Sequence, residues 1–385
     1  MSSLNMALSV ERSALDAALK RVSDTLAKKP VIPVTGCVWM CADNDEIVLR
    51  TTDLERQTLT TIPAAIDRPG TICLSGEALR GIVSGFAAGA QVRLEADATS
   101  GRCVVASGRS RYRLATEPAD LHPDLGAADG ASFDIPGRVL KNAINRVSFA
   151  AATMQDRPHL WGAHLHIVQH ERRPHLALVA IDGIVFSRQI MDMPAGLTDM
   201  PGVTIPTEAL ATLARMAPDD GDIRLTVSEN LIGAIVGETR FVSKLVQGTF
   251  VDYQRLLPQL SGRSATVDRG AMAAALNRFG AIDEKGAGIS VQPGDNVLVL
   301  SGAHASLGDA REEVEAEIKQ SDFGFGVSRA RLAPVLSKFA GEHVLFDQQD
   351  AGSPIRVLGV SDADRGHDAL LMPMRIGVGN AAVGG

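Results

Sequence analysis

The sequence predicts an α+β fold built from three tandem repeats of one domain, each with two helices on antiparallel sheets. Three observations lead there. An amphipathic helix pattern recurs around Leu15, Leu140 and Met272. A second helix pattern follows each of these within the same unit. Alternating apolar segments, the period-two signature of strands, lie between and after them. The recurrence spans roughly 130 residues, the size of a domain rather than of a solenoid unit.

The first helix of each unit carries apolar residues at i, i+4 and i+7: Leu15/Leu19/Val22, Leu140/Ile144/Val147 and Met272/Leu276/Phe279. That spacing places them on one face. An arginine sits just before the last apolar position each time: Arg21, Arg146 and Arg278. Arg12, Arg138 and Arg269 lie shortly before the same patterns. Strand-like runs follow, among them Ile47 to Thr51 and Leu176 to Ile181.

The second helices begin at Ser75, Thr207 and Ser328, hydroxyl residues able to cap exposed backbone N–H groups. Their apolar pairs are Leu79/Ile82, Leu210/Leu213 and Leu332/Val335. Pro334 removes one N–H and is expected to delay the start of the last of them. Alternation resumes at Val92/Leu94, at Ile223/Leu225/Val227 and at Val344/Phe346. Hairpin-rich units of this kind pair strands antiparallel and place helices on one face. The Gly/Ala/Asp-rich stretch from His122 to Ala131 and the polar Gln259 to Ser264 read as linkers. The expected domains are 1–130, 131–262 and 263–377, with 378–385 as a disordered tail.

Composition is that of a chain with substantial cores: 45% hydrophobic and 22% charged over 385 residues. A net charge of −7 argues against coating nucleic acid with the whole surface, but allows one basic face. No secretory leader is evident and no apolar run approaches membrane-spanning length, so a cytoplasmic protein without a membrane partner is expected. Cys37, Cys41, Cys73 and Cys103 read as free thiols of a reducing compartment, because no second Cys or His pair offers zinc-ligand spacing.

Catalytic signatures are weak. Five of the nine histidines fall between His159 and His175, and His164 and His166 would share a strand face. A metal site there is the minor alternative; partly exposed strand and loop histidines are the commoner outcome. Asp322-Phe323-Gly324 spells a kinase tripeptide without its companions, and Gly324 and Gly326 lack the third glycine of a dinucleotide fingerprint. A non-enzymatic binding protein with no cofactor and no metal is therefore expected. The basic residues are more informative. Recurring on one helix position, they suit contacts to phosphates without base reading.

Five short motifs, in order, resemble the bacterial DNA polymerase III beta subunit family, the sliding clamps. They are Lys29-Pro30-Val31-Ile32-Pro33, Thr52-Asp53-Leu54-Glu55, Ser107-Gly108-Arg109-Ser110-Arg111-Tyr112, Ser243-Lys244-Leu245-Val246 with Gly248, Phe250, Asp252 and Tyr253, and Leu371-Met372-Pro373-Met374-Arg375. The resemblance runs from about Ala7 to Ile376. It implies three DNA-clamp domains in a head-to-tail homodimer, closed as a ring around duplex DNA.

On that resemblance the DNA-facing residues are Arg21, Lys29, Arg138, Lys141, Arg146, Gln155, Arg215, Arg278 and Arg329. Tyr112 and Leu114 of one subunit would face Ala281 and Ile282 of the next. A peptide pocket would use Arg157, Leu160, Ile181, Gly183, Ile184, Val185, Phe186, Val251, Arg255, Leu256, Met372, Pro373 and Met374. Its implied partners are the polymerase III alpha subunit, the clamp loader and other proteins carrying clamp-binding peptides.

Two departures stand out. The family usually reads Ala-Thr-Asp-Gly-His-Arg-Leu where this chain has Ala180-Ile181-Asp182-Gly183-Ile184-Val185-Phe186, and Val251 replaces a usual proline. The pocket is thus expected to be more apolar, which raises the alternative of an accessory clamp with altered partner or inhibitor specificity. Glu77 and Glu208 stand where lysine is common, so the DNA-facing charge is weaker.

Overall fold

The structure is a computed structural model and describes residues 5–97, 100–153, 157–282 and 288–376. Gln155 and the 378–385 tail lie outside the described residues. Six α-helices occur among those described: α1 (Arg12–Val22), α2 (Gly76–Ser84), α3 (Gly137–Val147), α4 (Thr207–Met216), α5 (Arg269–Phe279) and α6 (Arg329–Leu336).

The chain divides into two compact units. The first comprises 1–138, 195–201 and 215–245, and the second 139–194, 202–214 and 246–385. One sheet of thirteen strands belongs to the first and one of twelve to the second. All their strand pairs are antiparallel. The units do not follow the sequence repeat, because each sheet continues from one repeat into the next. In the first unit, Thr239–Lys244 pairs with Arg56–Pro63, setting Thr239 opposite Thr60 and Phe241 opposite Thr58. In the second, Val185–Met191 pairs with His367–Leu371, setting Val185 opposite Leu371. Strands of the middle repeat are therefore shared between two sheets.

The repeat is nonetheless visible in the backbone. The strand before each odd-numbered helix pairs with the strand that follows the next helix: Ala7–Glu11 with Gln91–Asp97, Ala131–Pro136 with Asp222–Val227, and Ser264–Asp268 with His343–Asp347. The amide at each helix start reaches the same turn, through Arg12 N to Ala90 O at 2.8 Å, Gly137 N to Gly221 O at 2.9 Å and Arg269 N to Glu342 O at 2.8 Å.

The i, i+4, i+7 residues are the buried faces. Leu15, Leu19 and Val22 are at most 2% exposed, and so are Leu140, Ile144 and Val147. Met272, Leu276 and Phe279 are buried likewise. Each such side chain contributes about 1.5–3 kcal/mol by leaving water, which is why the pattern dictates which face turns inward.

Helix starts differ in detail from expectation. Ser75 accepts from Ala78 N at 3.4 Å, as a cap should. Thr207 is instead the first helical residue of α4, and the Pro206 carbonyl receives Leu210 N at 2.9 Å. Ser328 makes no side-chain cap bond; its carbonyl accepts Arg331 N and Leu332 N. Pro334 lies inside α6 and does not delay it. Glu11 and Asp268, acids missed as caps, accept from Ala14 N and Ala271 N.

Candidate peptide pocket and cationic helix faces

The residues expected at the pocket all lie in the second unit. The strands Arg173–Ile181 and Val185–Met191 are joined by a tight turn, with Asp182 N donating to Val185 O at 3.1 Å. Asp182 Oδ1 accepts the amides of Ile184 at 2.8 Å and Val185 at 2.7 Å. Gly183 has φ +91°, a conformation L side chains rarely adopt. A Cβ there would strike the Arg157 guanidinium, so that head group lies directly over the glycine.

Beneath the turn, Leu160, Ile181 and Phe186 are buried with Ala177, Val179, Tyr253 and Leu370, and Val251, Phe250 and Leu257 pack against them. Ile184 and Met372 form an apolar rim at 45% and 44% exposure, where Met372 N donates to Ile184 O at 2.9 Å. Leu256 is similarly exposed. The result is a packed apolar floor, an exposed apolar rim and one arginine head group. It suits anchoring of apolar side chains with little polar steering.

Two further residues of the expected lining have other contacts as well. Arg255 is 86% exposed on its side chain and pairs with Asp252 at 2.8 Å. Met374 is drawn towards the strand Phe325–Val327, donating its amide to Gly326 O at 2.8 Å with its sulfur against Gly288. Pro373, between it and Met372, is half-buried.

The histidines expected on one strand face pack beside this apolar cluster. The His164 ring stacks on Phe250 at 4.6 Å with planes 4° apart. His166 Nε2 lies 3.0 Å from the Tyr253 hydroxyl, and Tyr253 in turn packs against Phe186 at 5.4 Å. Burial pushes His164 down to about 3 and His166 to about 4, keeping both neutral. Among the described residues, no group of three or more His, Cys, Asp or Glu could hold a metal ion. Cys37, Cys73 and Cys103 are buried free thiols, with burial raising Cys73 and Cys103 to about 12.

The recurring arginines meet different fates. Arg21 is exposed at the end of α1, and Lys29 and Arg138 are exposed as well. Lys141 is half-buried on α3. Arg146 is not a solvent-facing cation. It donates to Asp364 at 3.0 Å, to Ala363 O at 2.7 Å and to Gln189 Oε1 at 2.8 Å, with 14% of its side chain exposed. Arg278 pairs with Glu312, Nε to Oε1 at 2.9 Å, and Arg215 with Asp24 at 2.6 Å. The Arg329 head group lies over Gly280.

Arg12 and Arg269, expected on the cationic face, donate to backbone carbonyls instead. Arg12 donates to the carbonyls of Val83 and Ser84 at the end of α2, and Arg269 to Gly341 O just beyond α6. Val83 and Ser84 belong to the last turn of α2, whose carbonyls lack intrahelical partners and where a cation complements the helix dipole.

Tyr112 and Leu114 lie on the strand Ser110–Glu117. It pairs with Arg102–Ser107 on one side, but with Cys73 and Leu74 only through Glu117 and Thr116 on the other. Ala281 and Ile282 sit in the turn closing α5, Ile282 N donating to Phe279 O at 3.0 Å.

Comparison with known proteins interprets these features together. Models of the DNA polymerase III beta subunit match in order: its N-terminal domain at 6–126, its central domain at 134–252 and its C-terminal domain at 254–375. The beta sliding clamp of Caulobacter vibrioides is 30% identical over 377 residues, 96% of this chain and 100% of the relative. The chain belongs to the DNA polymerase III beta subunit family. A crystal structure of the Caulobacter crescentus clamp superposes with a TM-score of 0.92 at 29% identity, covering 97% of this chain and 99% of that one. A Bartonella birtlesii clamp bound to griselimycin gives 0.90 at 27% identity, covering 96% and 100%. These full-length likenesses to sliding clamps do not favour an accessory role.

Sequence reasoning missed several residues within this family's fold. Asp182, Arg331 and Tyr253 are absent from the expected pocket set, yet Asp182 holds the 182–185 turn, Arg331 pairs with Asp182, and Tyr253 meets His166. An Asp-Gly pair between two apolar runs was a signal for the turn. For Arg331 no local signal exists, since its partner is 149 residues away in the chain.

Proposed function

We propose that this protein is a non-catalytic DNA sliding clamp, a processivity factor that encircles duplex DNA and tethers polymerase through a peptide pocket. The observation that carries this reading is the presence, in order and over nearly the whole chain, of all three domains of the family. In the proposed assembly two subunits join head to tail. The part-unpaired edge at Tyr112 and Leu114 meets the turn at Ala281 and Ile282 of a second copy, and main-chain pairing across such an edge supplies register.

Arg21, Lys29, Arg138, Lys141, Arg215, Arg278 and Arg329 are the proposed DNA-facing cations. Their contacts are to phosphates, which carry no sequence information, so the ring can slide. Topology rather than affinity holds it on DNA. The apolar pocket under the Arg157 head group receives linear peptides of the polymerase III alpha subunit, the clamp loader and other partners. Griselimycin-bound clamps of this family support a ligand-receptive surface on the fold.

The test is retention on DNA of different topology. Loaded on nicked circular DNA, the protein should persist through gel filtration at moderate salt. After linearisation with a restriction enzyme it should be lost from the DNA. Equal loss from both forms would defeat the ring.

A further inference from the structure

We infer that Arg331 of α6 is a positioning residue for the peptide pocket: its ion pair with Asp182 holds the 182–185 turn in the form that receives an apolar peptide. The inference rests on the pocket reading above and adds a residue that no pocket motif contains. Arg331 Nη1 donates to Asp182 Oδ2, while Asp182 Oδ1 holds the amides of Ile184 and Val185. One carboxylate thus joins a helix to two consecutive backbone N–H groups of the turn. From the other side Met372 N grips Ile184 O at 2.9 Å. The turn is clamped between a side chain of α6 and the backbone of Met372.

Exposed ion pairs usually contribute little. This one differs in geometry, because the Asp182 side chain is only 14% exposed and its remaining oxygen is fixed by the turn. Arg331 is 43% exposed, so it keeps its solvated reach while directing a largely enclosed partner. Two of the turn's three internal hydrogen bonds end on the Asp182 carboxylate, and Gly183 takes φ +91° while Ile184 projects to solvent, so the form of the turn depends on how that carboxylate is held. Without the pair, the turn samples other forms and a peptide must order it on binding. That cost falls on affinity.

The experiment is a double-mutant cycle on the full-length protein. The probe is a fluorescein-labelled short peptide carrying two leucines and a phenylalanine, read by anisotropy. Arg331→Met removes the donor. Asp182→Asn keeps an oxygen for the Ile184 and Val185 amides but removes the charge. Each should weaken binding about fivefold, the size of a single charge-assisted contact. The double variant should be no weaker than the poorer single variant, and Arg331→Lys should recover part of the loss. The far-UV circular dichroism and gel-filtration volume of Arg331→Met should match those of the wild type, which shows that the fold survives. Wild-type affinity in Arg331→Met, or additive losses in the double variant, would overturn the inference while leaving the pocket intact. Failure of the wild-type protein to bind the peptide would instead overturn the pocket reading, and this inference with it.

Discussion

Gly183→Ala separates the pocket's shape from the stability of the chain. Two costs arise at this position. The backbone sits at φ +91°, where a side chain costs about 1–2 kcal/mol. The new methyl also meets the Arg157 guanidinium, which must move away from the turn. Gly196→Ala is the matched control. Its φ is +79°, but nothing lies within 4 Å of a Cβ there, so it carries the backbone cost alone. Both variants should therefore lose about 1–2 kcal/mol in urea unfolding by the backbone term they share, with Gly183→Ala losing in addition whatever the displacement of Arg157 costs. Only Gly183→Ala should weaken the labelled peptide, by about tenfold, equivalent to about 1.4 kcal/mol. Fluorescence anisotropy gives the affinities. If Gly183→Ala binds like Gly196→Ala, the turn does not shape the pocket and the assignment of Gly183 and Arg157 to it is wrong.

Three further outcomes follow from the same contacts. Arg21→Ala should reduce the slope of log affinity for DNA against log salt by about one unit, since one phosphate contact is lost; an unchanged slope removes Arg21 from the DNA face. Arg146→Ala should leave that slope unchanged and lower stability by about 3 kcal/mol, because the Asp364 carboxylate, whose side chain is fully buried, loses its cation; a wild-type urea midpoint would contradict this. Acid should destabilise the second unit through His164 and His166. Their folded values of about 3 and 4 lie below the unfolded value near ~6.5, so the unfolded chain takes up protons first. Stability is then intact above that value and falls as pH drops towards 4, by about 1.4 kcal/mol per pH unit for each histidine. Equal urea midpoints at pH 7 and pH 5 would refute it, and His164→Phe should show a shallower fall.

The sequence made the helices legible because burial of one face is a local, periodic demand. Leu15, Leu19 and Val22 could be read without knowing what they touch. Sheet composition could not be read that way. Phe241 and Thr58 are neighbours in one sheet although they belong to different repeats, and strand alternation carries no information about such a partner. The apolar cluster around Phe186 was legible through its motifs, whereas the polar contacts beside it were not. His166 was visible as a polar residue at an apolar position, but its purpose depends on Tyr253, 87 residues away. The contacts of Met374 with Gly326 and Gly288 were not legible either, because a motif fixes proximity in the chain and not in space.

The threefold arginine is the sharper case. Equal positions in three repeats suggested one shared role, yet Arg21 is exposed, Arg278 pairs with Glu312, and Arg146 is spent on Asp364, 218 residues away. A repeat conserves what its own helix and strands require, and leaves each arginine to whatever the rest of the chain brings beside it. On the clamp reading this thins the basic lining, and the exposed Glu77 and Glu208 at two helix starts thin it further. A ring held by topology tolerates that loss. Each phosphate contact removed lowers the barrier between successive positions along the duplex. A sparse lining therefore favours fast sliding, and places the burden of partner capture on the apolar pocket.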